Sequence, residues 1–345
     1  MEGTCEKTNS YISVIMVAKK DILLSVKDLR TYFNVKEGLA KAVDGVSYNI
    51  NHGETLGLVG ESGCGKTVSA LSILKLLDIP PAEFHSGQIL FKDQDLLQIT
   101  EQELNSIRGR SISMVFQEPM TSLNPVLSIG FQIDEVMINH LGITGKDARD
   151  RTIELLNMVG ISLPQKRAKE YPNQLSGGMR QRIMIALAIA CDPELLIADE
   201  PTTALDVTIQ AQIIEIMLSL QDKLGTSILL ITHDLGVIAE TADRVAVMYA
   251  GKIVEEADVK TIFQNPLHPY TQGLLNSVPN INKIDSATRL QEIPGIVPNL
   301  CYLPEGCAFF NRCPVKKKIC ESKKPKLLNI ENNHNVRCWI VQNKV

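Results

Sequence analysis

"GESGCGKT", residues 60–67, decides how the rest of the chain is read. It fits the spacing G-x-x-x-x-G-K-[ST], with the apolar run "TLGLV" before it and a helix-forming stretch after it. Gly60, Gly63 and Gly65 let successive backbone N–H groups, across Glu61, Ser62 and Cys64, turn inward around phosphate oxygens. The following helix points the positive end of its dipole at the same anion. Lys66 supplies a point charge for the β- and γ-phosphates of a nucleoside triphosphate, and Thr67 a hydroxyl for Mg²⁺. Cys64 fills one of the variable positions as a small space-filler.

Working outward, short β-branched runs alternate with helical patterns. "ILLSV" (22–26), "TLGLVG" (55–60), "ISMVF" (112–116), "LLIAD" (195–199), "SILLIT" (227–232) and "VAVMY" (245–249) read as strands. Several are apolar throughout, as strands covered on both faces are. Helices are expected at about 67–77, 178–190, 207–224 and 235–241. The pattern is α/β with a largely parallel core sheet and a helical insertion over about 120–180. After residue 278 the regular periods stop, prolines recur and cysteines cluster, so a small separate irregular module is expected over 278–345.

Composition narrows the class. Of the 345 residues, 44% are apolar, enough for a real core, and the net charge of −4 argues against nucleic acid as a partner. The longest apolar candidate, "IMIALAIACDPELLIA" (183–198), is broken by Asp192, Pro193 and Glu194, short of the about 20 residues a membrane span needs. Residues 1–20 read as a disordered tail without a signal peptide, and Met1 or Met16 is the start, because patterned sequence begins near Asp21. A soluble, cytoplasmic chain is expected. Its eight cysteines would then stay reduced, and clustered ones would more often hold metal than form disulfides.

A second motif, "LSGGMRQR" (175–182), opens a helix shortly before "LLIADE" (195–200). Together with "SILLITHD" (227–234) and the phosphate loop, it resembles the ATP-binding subunits of ABC transporters over about residues 21–277. The resemblance implies the P-loop NTPase fold of ABC type: a mostly parallel core sheet, an antiparallel β subdomain and a helical subdomain. It implies that two such domains clasp two ATP molecules head to tail. Ser176, Gly177, Gly178 and Met179 would complete the partner's ATP site, and Asp206 would belong to the loop crossing the dimer interface.

Asp199 ends an apolar strand, where it can hold Mg²⁺ directly or through water. By the resemblance, Glu200 is the general base for the attacking water, His233 the switch histidine on the γ-phosphate, and Gln117 the glutamine reaching Mg²⁺ and that water. Phe33 would stack on adenine, with Tyr32 as the other choice and a core aromatic as the alternative to both. The expected activity is ATP hydrolysis coupled to transport. A soluble ABC ATPase of DNA repair or translation would carry a second cassette or a coiled-coil insertion, and neither is evident.

"FQEPMTSLNP" (116–125), "NPLHPYTQGLLNSVP" (265–279), "IPGIVPNL" (293–300) and "LPEGCAFFNRCP" (303–314) resemble the D-type ATPase subunits of dipeptide, oligopeptide and nickel importers. That implies a peptide cargo, with nickel as the alternative. It also implies a second ATPase subunit (a sister chain or another copy), two transmembrane permeases, an extracytoplasmic binding protein and a peripheral place on the cytoplasmic membrane face. In the extension of that family the cysteine pattern aligns with Cys307, Cys313, Cys320 and Cys338. The family implies a [4Fe–4S] cluster there; Zn²⁺, or unligated or disulfide-forming thiols, remain the alternatives. The basic run Lys316–Lys318 reads as a solvated loop. Replacing Cys313 by serine is expected to unfold the tail while leaving nucleotide binding largely intact.

Overall fold

The structure, a computed structural model, describes residues 21–117, 122–203, 206–277, 292–331 and 333–342. The expected tail over 1–20, part of the loop after Gln117, and the residues just past the 277/278 boundary lie outside these.

Twelve strands appear among the described residues: β1 (Ile22–Val35), β2 (Gly38–Asn51), β3 (Thr55–Val59), β4 (Ala82–Phe91), β5 (Gln94–Asp95), β6 (Ile112–Val115), β7 (Leu195–Asp199), β8 (Ser227–Thr232), β9 (Arg244–Tyr249), β10 (Lys252–Asp258), β11 (Leu328–Glu331) and β12 (His334–Val336). They form two sheets. The first is antiparallel, in the order β2-β1-β4-β5; the second runs β11-β12-β10-β9-β3-β8-β7-β6, parallel from β9 to β6.

The central parallel strands are buried on both faces, which explains their continuous apolar runs. Their side chains alternate between two cores. Leu56, Leu58, Leu195, Ile197, Leu229 and Ile231 pack towards the antiparallel sheet. Val59, Leu196, Ala198, Ile228 and Leu230 pack towards the helices on the other face. Helix α1 (Lys66–Ile73) sits in the first core, where Ser72 Oγ lies 3.1 Å from Thr31 Oγ1 and Ser69 Oγ lies 3.1 Å from Tyr48 Oη.

After α2 (Glu101–Ile107), the helical subdomain holds α3 (Ile129–Leu141), α4 (Gly145–Met158), α5 (Pro164–Arg167) and α6 (Gly177–Ala188). Helices α7 (Val207–Leu224), α8 (Leu235–Thr241), α9 (Val259–Gln264) and α10 (Pro269–Asn276) follow. Ser128, Ser176, Asp206, Asp234 and Asp258 cap their helices by accepting a backbone N–H from the first turn.

The C-terminal segment is more firmly joined to the cassette than its irregular sequence suggests. Strand β12 pairs antiparallel with β10 and extends the main sheet, and β11 pairs with β12. Buried Glu255 on β10 accepts from the backbone N–H groups of Leu267 (2.6 Å) and His268 (3.0 Å), and its Oε1 lies 2.7 Å from His334 Nε2 on β12. The carboxylate joins β10 to residues 267–268 and to β12, because a buried acceptor needs every available donor.

Asp44 joins the two sheets. It pairs with Arg30 (2.9 Å) on β1 and with Lys252 (2.7 Å) on β10. Burial pushes its carboxyl up, but Lys252, Tyr32 and Arg30 outweigh burial and hold it at about 2. A depressed carboxyl contributes stability above its ordinary value of 3.8 and loses it as pH falls through the folded value. Urea midpoints measured from pH 5 to pH 2 should therefore fall less steeply for Asp44→Asn than for the wild type.

Candidate functional site

The phosphate loop joins β3 to α1 and is pinned from three sides. Gly60 and Gly65 have φ of 154° and 104°, and a Cβ on either would run into a carbonyl oxygen, that of Met248 or of Ala42. Only glycine lets the loop lie this close to β2 and β9. Gly251 N donates to Cys64 O (2.9 Å), and Asp44 N donates to Gly251 O (2.8 Å), so the turn after β9 fastens the loop to β2. Cys64 is fully buried, as a space-filler should be.

Lys66 is buried, and its Nζ donates to the carbonyls of Gly60 (2.7 Å) and Glu61 (3.2 Å). A buried ammonium with only neutral partners favours an incoming anion. Thr67 Oγ1 donates to Asp199 Oδ1 (3.2 Å), bringing together the hydroxyl and carboxylate expected to share Mg²⁺. Burial pushes the Asp199 carboxyl up. The Thr67 hydrogen bond and Lys66 work against that shift, while the Glu200 charge adds to it. A divalent cation beside Thr67 would relieve the repulsion between the adjacent carboxylates.

Glu200 sits at the turn after β7 with φ 47°, a left-handed conformation costly for this residue. Its N–H donates to Ile231 O (2.8 Å) on β8, which fixes the turn. Its carboxylate accepts from Gln117 Nε2 (3.1 Å) and Thr203 Oγ1 (2.8 Å), and His233 Nδ1 lies 3.4 Å from Oε1. Three residues from separate segments thus orient one carboxylate. Gln210 on α7 donates to Asp234 (2.9 Å), next to His233, and links the histidine loop to the helix capped by Asp206.

Ser176, Gly177, Gly178 and Met179 belong to a different neighbourhood. Together with Asp206, Ile209, Arg182 and Gly160 they line an open cleft of about 500 Å³. Ser176 and Gly177 are exposed, and a Cβ at Gly177 would meet nothing within 4 Å. In the single chain Ser176 and Gly177 face outward, while Met179 is half-buried against the core.

Phe33 is half-buried on the same face of β1 as Thr31, which touches α1. Tyr32 points the other way: it is buried, donates to Asp44 Oδ1 (2.9 Å) and stacks on His85 at 4.9 Å. With those partners it is unsuited to adenine.

Cys307, Cys313, Cys320 and Cys338 share one region. Cys307 N donates to Cys320 O (2.8 Å). Burial first, and then Cys320, Cys338 and Cys313, push the Cys307 thiol up to about 11. Among the described residues no group of three or more Cys, His, Asp or Glu side chains is arranged to hold a metal ion, so the thiols converge short of a coordination sphere.

Three contributors carry no local signal in the sequence. Thr203 lies in "PTTALD" without a distinctive spacing. Tyr270 and Arg312 reach Glu61 in the phosphate loop from 209 and 251 residues away.

Comparison with known proteins agrees with this geometry. Residues 43–203 match the family model of ABC transporters, and residues 254–320 match that of the oligopeptide/dipeptide transporter C-terminal region. The chain is 54% identical to the oligopeptide transport ATP-binding protein AppD of Bacillus subtilis over 321 residues, covering 93% of this chain and 97% of that protein. It is 49% identical to the dipeptide transport ATP-binding protein DppD of the same organism over 318 residues, covering 92% of this chain and 94% of that one. A solved dimeric ATP-binding cassette, MJ0796 bound to ADP and Pi, superposes with a TM-score of 0.62 at 28% identity, covering 68% of this chain and 98% of that one. The chain belongs to the ATP-binding subunits of ABC transporters, in the group that carries the oligopeptide/dipeptide transporter C-terminal region.

Proposed function

We propose that the chain is the ATP-hydrolysing subunit of an importer that carries di- or oligopeptides across the cytoplasmic membrane, working from its cytoplasmic face. The observation that carries the catalytic part is the Glu200 carboxylate, held by Gln117, Thr203 and His233 beside the Thr67–Asp199 pair. Glu200 takes a proton from the attacking water. Thr67 and Asp199 hold Mg²⁺, with Gln117 reaching the same ion. Lys66 and the loop amides of residues 60–65 carry the triphosphate, His233 meets the γ-phosphate, and Phe33 stacks on adenine. Phosphoryl transfer asks mainly for position and charge neutralisation, and each group supplies one of these.

The Ser176–Met179 stretch, exposed at Ser176 and Gly177, and Asp206 suit a pocket completed by a second ATPase subunit. Closure on ATP and reopening after hydrolysis then drive the two permeases, with peptide delivered by an extracytoplasmic binding protein. Peptide, not nickel, is the cargo favoured by relatives such as AppD and DppD, whose names refer to oligopeptide and dipeptide transport.

For the C-terminal region we propose that Cys307, Cys313, Cys320 and Cys338 hold a [4Fe–4S] cluster, with Zn²⁺ as the other candidate. The cavity beside Cys307 is also lined by the basic side chains Lys252, Lys324 and Arg337. Arg337 donates to the Ile253 (2.8 Å) and Pro325 (3.3 Å) carbonyls. Such a cluster would brace a segment with little core of its own.

Two experiments address these readings. Glu200→Gln should bind ATP and form the closed dimer while hydrolysing about 10²–10⁴-fold more slowly in a steady-state phosphate-release assay; brisk turnover would remove Glu200 as the base. Anaerobic purification followed by iron, sulfide and zinc analysis should find iron and sulfide bound, and Cys313→Ser should lose both. A colourless, metal-free chain whose tail is still folded contradicts the cluster.

A further inference from the structure

The C-terminal extension reaches back to the phosphate loop. Arg312, in the short turn Phe310–Arg312, keeps only 4% of its side chain exposed. Its Nη1 and Nη2 donate to the two oxygens of Glu61, at 2.6 and 2.9 Å. The same guanidinium donates to the carbonyls of Pro294 (3.1 Å) and Ile293 (3.2 Å) and lies over the Tyr249 and Phe309 rings. From the other side, the Glu61 N–H donates to the Oη of Tyr270 (2.8 Å), which is fully buried. Glu61 is one of the variable positions of the loop motif, so its side chain is free to bond elsewhere in the chain. A bidentate arginine–carboxylate pair fixes orientation as well as distance.

The consequence passes through one peptide. With its side chain and its N–H both held, Glu61 presents its carbonyl to Lys66 Nζ (3.2 Å) beside that of Gly60 (2.7 Å). We propose that Arg312 and Tyr270 are positioning residues for nucleotide binding: they clamp Glu61 and thereby Lys66, so the C-terminal extension sets the affinity of the phosphate loop for ATP. This rests on the reading of residues 60–67 as the ATP site. It also revises the expectation that the tail can unfold around Cys313 without affecting nucleotide binding, because Arg312 adjoins that cysteine.

The test is a double-mutant cycle on the full chain. Glu61→Gln, Arg312→Gln and their combination are titrated with a fluorescent ATP analogue, and each protein is melted separately. Each single change should weaken affinity about tenfold, the size of a coupling near 1.4 kcal/mol, and the combination should be no weaker than either alone. Arg312→Lys should recover part of the loss. Wild-type affinity in Glu61→Gln and Arg312→Gln, with or without a lower Tm, overturns the proposal, since a purely structural pair alters melting alone. If Arg312→Gln does not fold, Glu61→Gln and Arg312→Lys decide in the same way: weakened affinity supports the clamp, and unchanged affinity overturns it. Lys66→Ala separates the two readings. If it binds the analogue as the wild type does, the assignment of the ATP site fails, whatever Arg312 does.

Discussion

The phosphate loop has to be rigid before triphosphate arrives, and much of the rest of the structure serves that constraint. A loop that ordered itself on binding would lose affinity to the ordering entropy. Here Gly60 and Gly65 lie so close to Met248 and Ala42 that no side chain fits between, and Gly251 ties Cys64 to β2. Helix α1 behind the loop is tied to the antiparallel sheet by Ser69 and Ser72. The positive charge of Lys66 is folded in and left on carbonyls, which an anion can outcompete.

Around that fixed point the groups proposed to act on ATP sit at strand ends. Asp199 ends β7 and Glu200 follows it, and His233 follows β8, a neighbouring parallel strand of the same sheet. Groups at the carboxyl ends of such strands share one edge, which is where open α/β sheets bind ligands. The left-handed turn at Glu200 aims its carboxylate at Gln117 and His233, and strain of this kind persists where surrounding bonds hold it. The serine–glycine stretch at α6 and the Asp206 cap of α7 lie in another cleft.

Much of this could be read from the sequence because it is local. Strands β3, β7, β8 and β9 announce themselves by runs apolar on both faces, and α7 and α8 span the stretches 207–224 and 235–241 that their patterns indicate. The phosphate-loop, Asp–Glu and histidine residues sit in contiguous motifs. What escaped is non-local. Strands β2 and β4, in "GLAKAVDGVSYNIN" and "AEFHSGQILF", mix polar and apolar residues because each has an exposed side, and their pairing with β1 comes from tertiary contacts. The tail looked irregular because β11 and β12 are short and borrow their order from β10. Arg312 stands among prolines and cysteines, and nothing near it in the chain points to Glu61.

The central claim is that hydrolysis needs two chains, since each provides a phosphate loop and lends Ser176–Met179 to the other. The direct measurement is ATPase activity per chain over a wide dilution range, with and without the second subunit. Activity per chain should fall on dilution and return when the mate, a sister ATPase or another copy, is added back. Full activity per chain at high dilution, indifferent to concentration and to any partner, would contradict it.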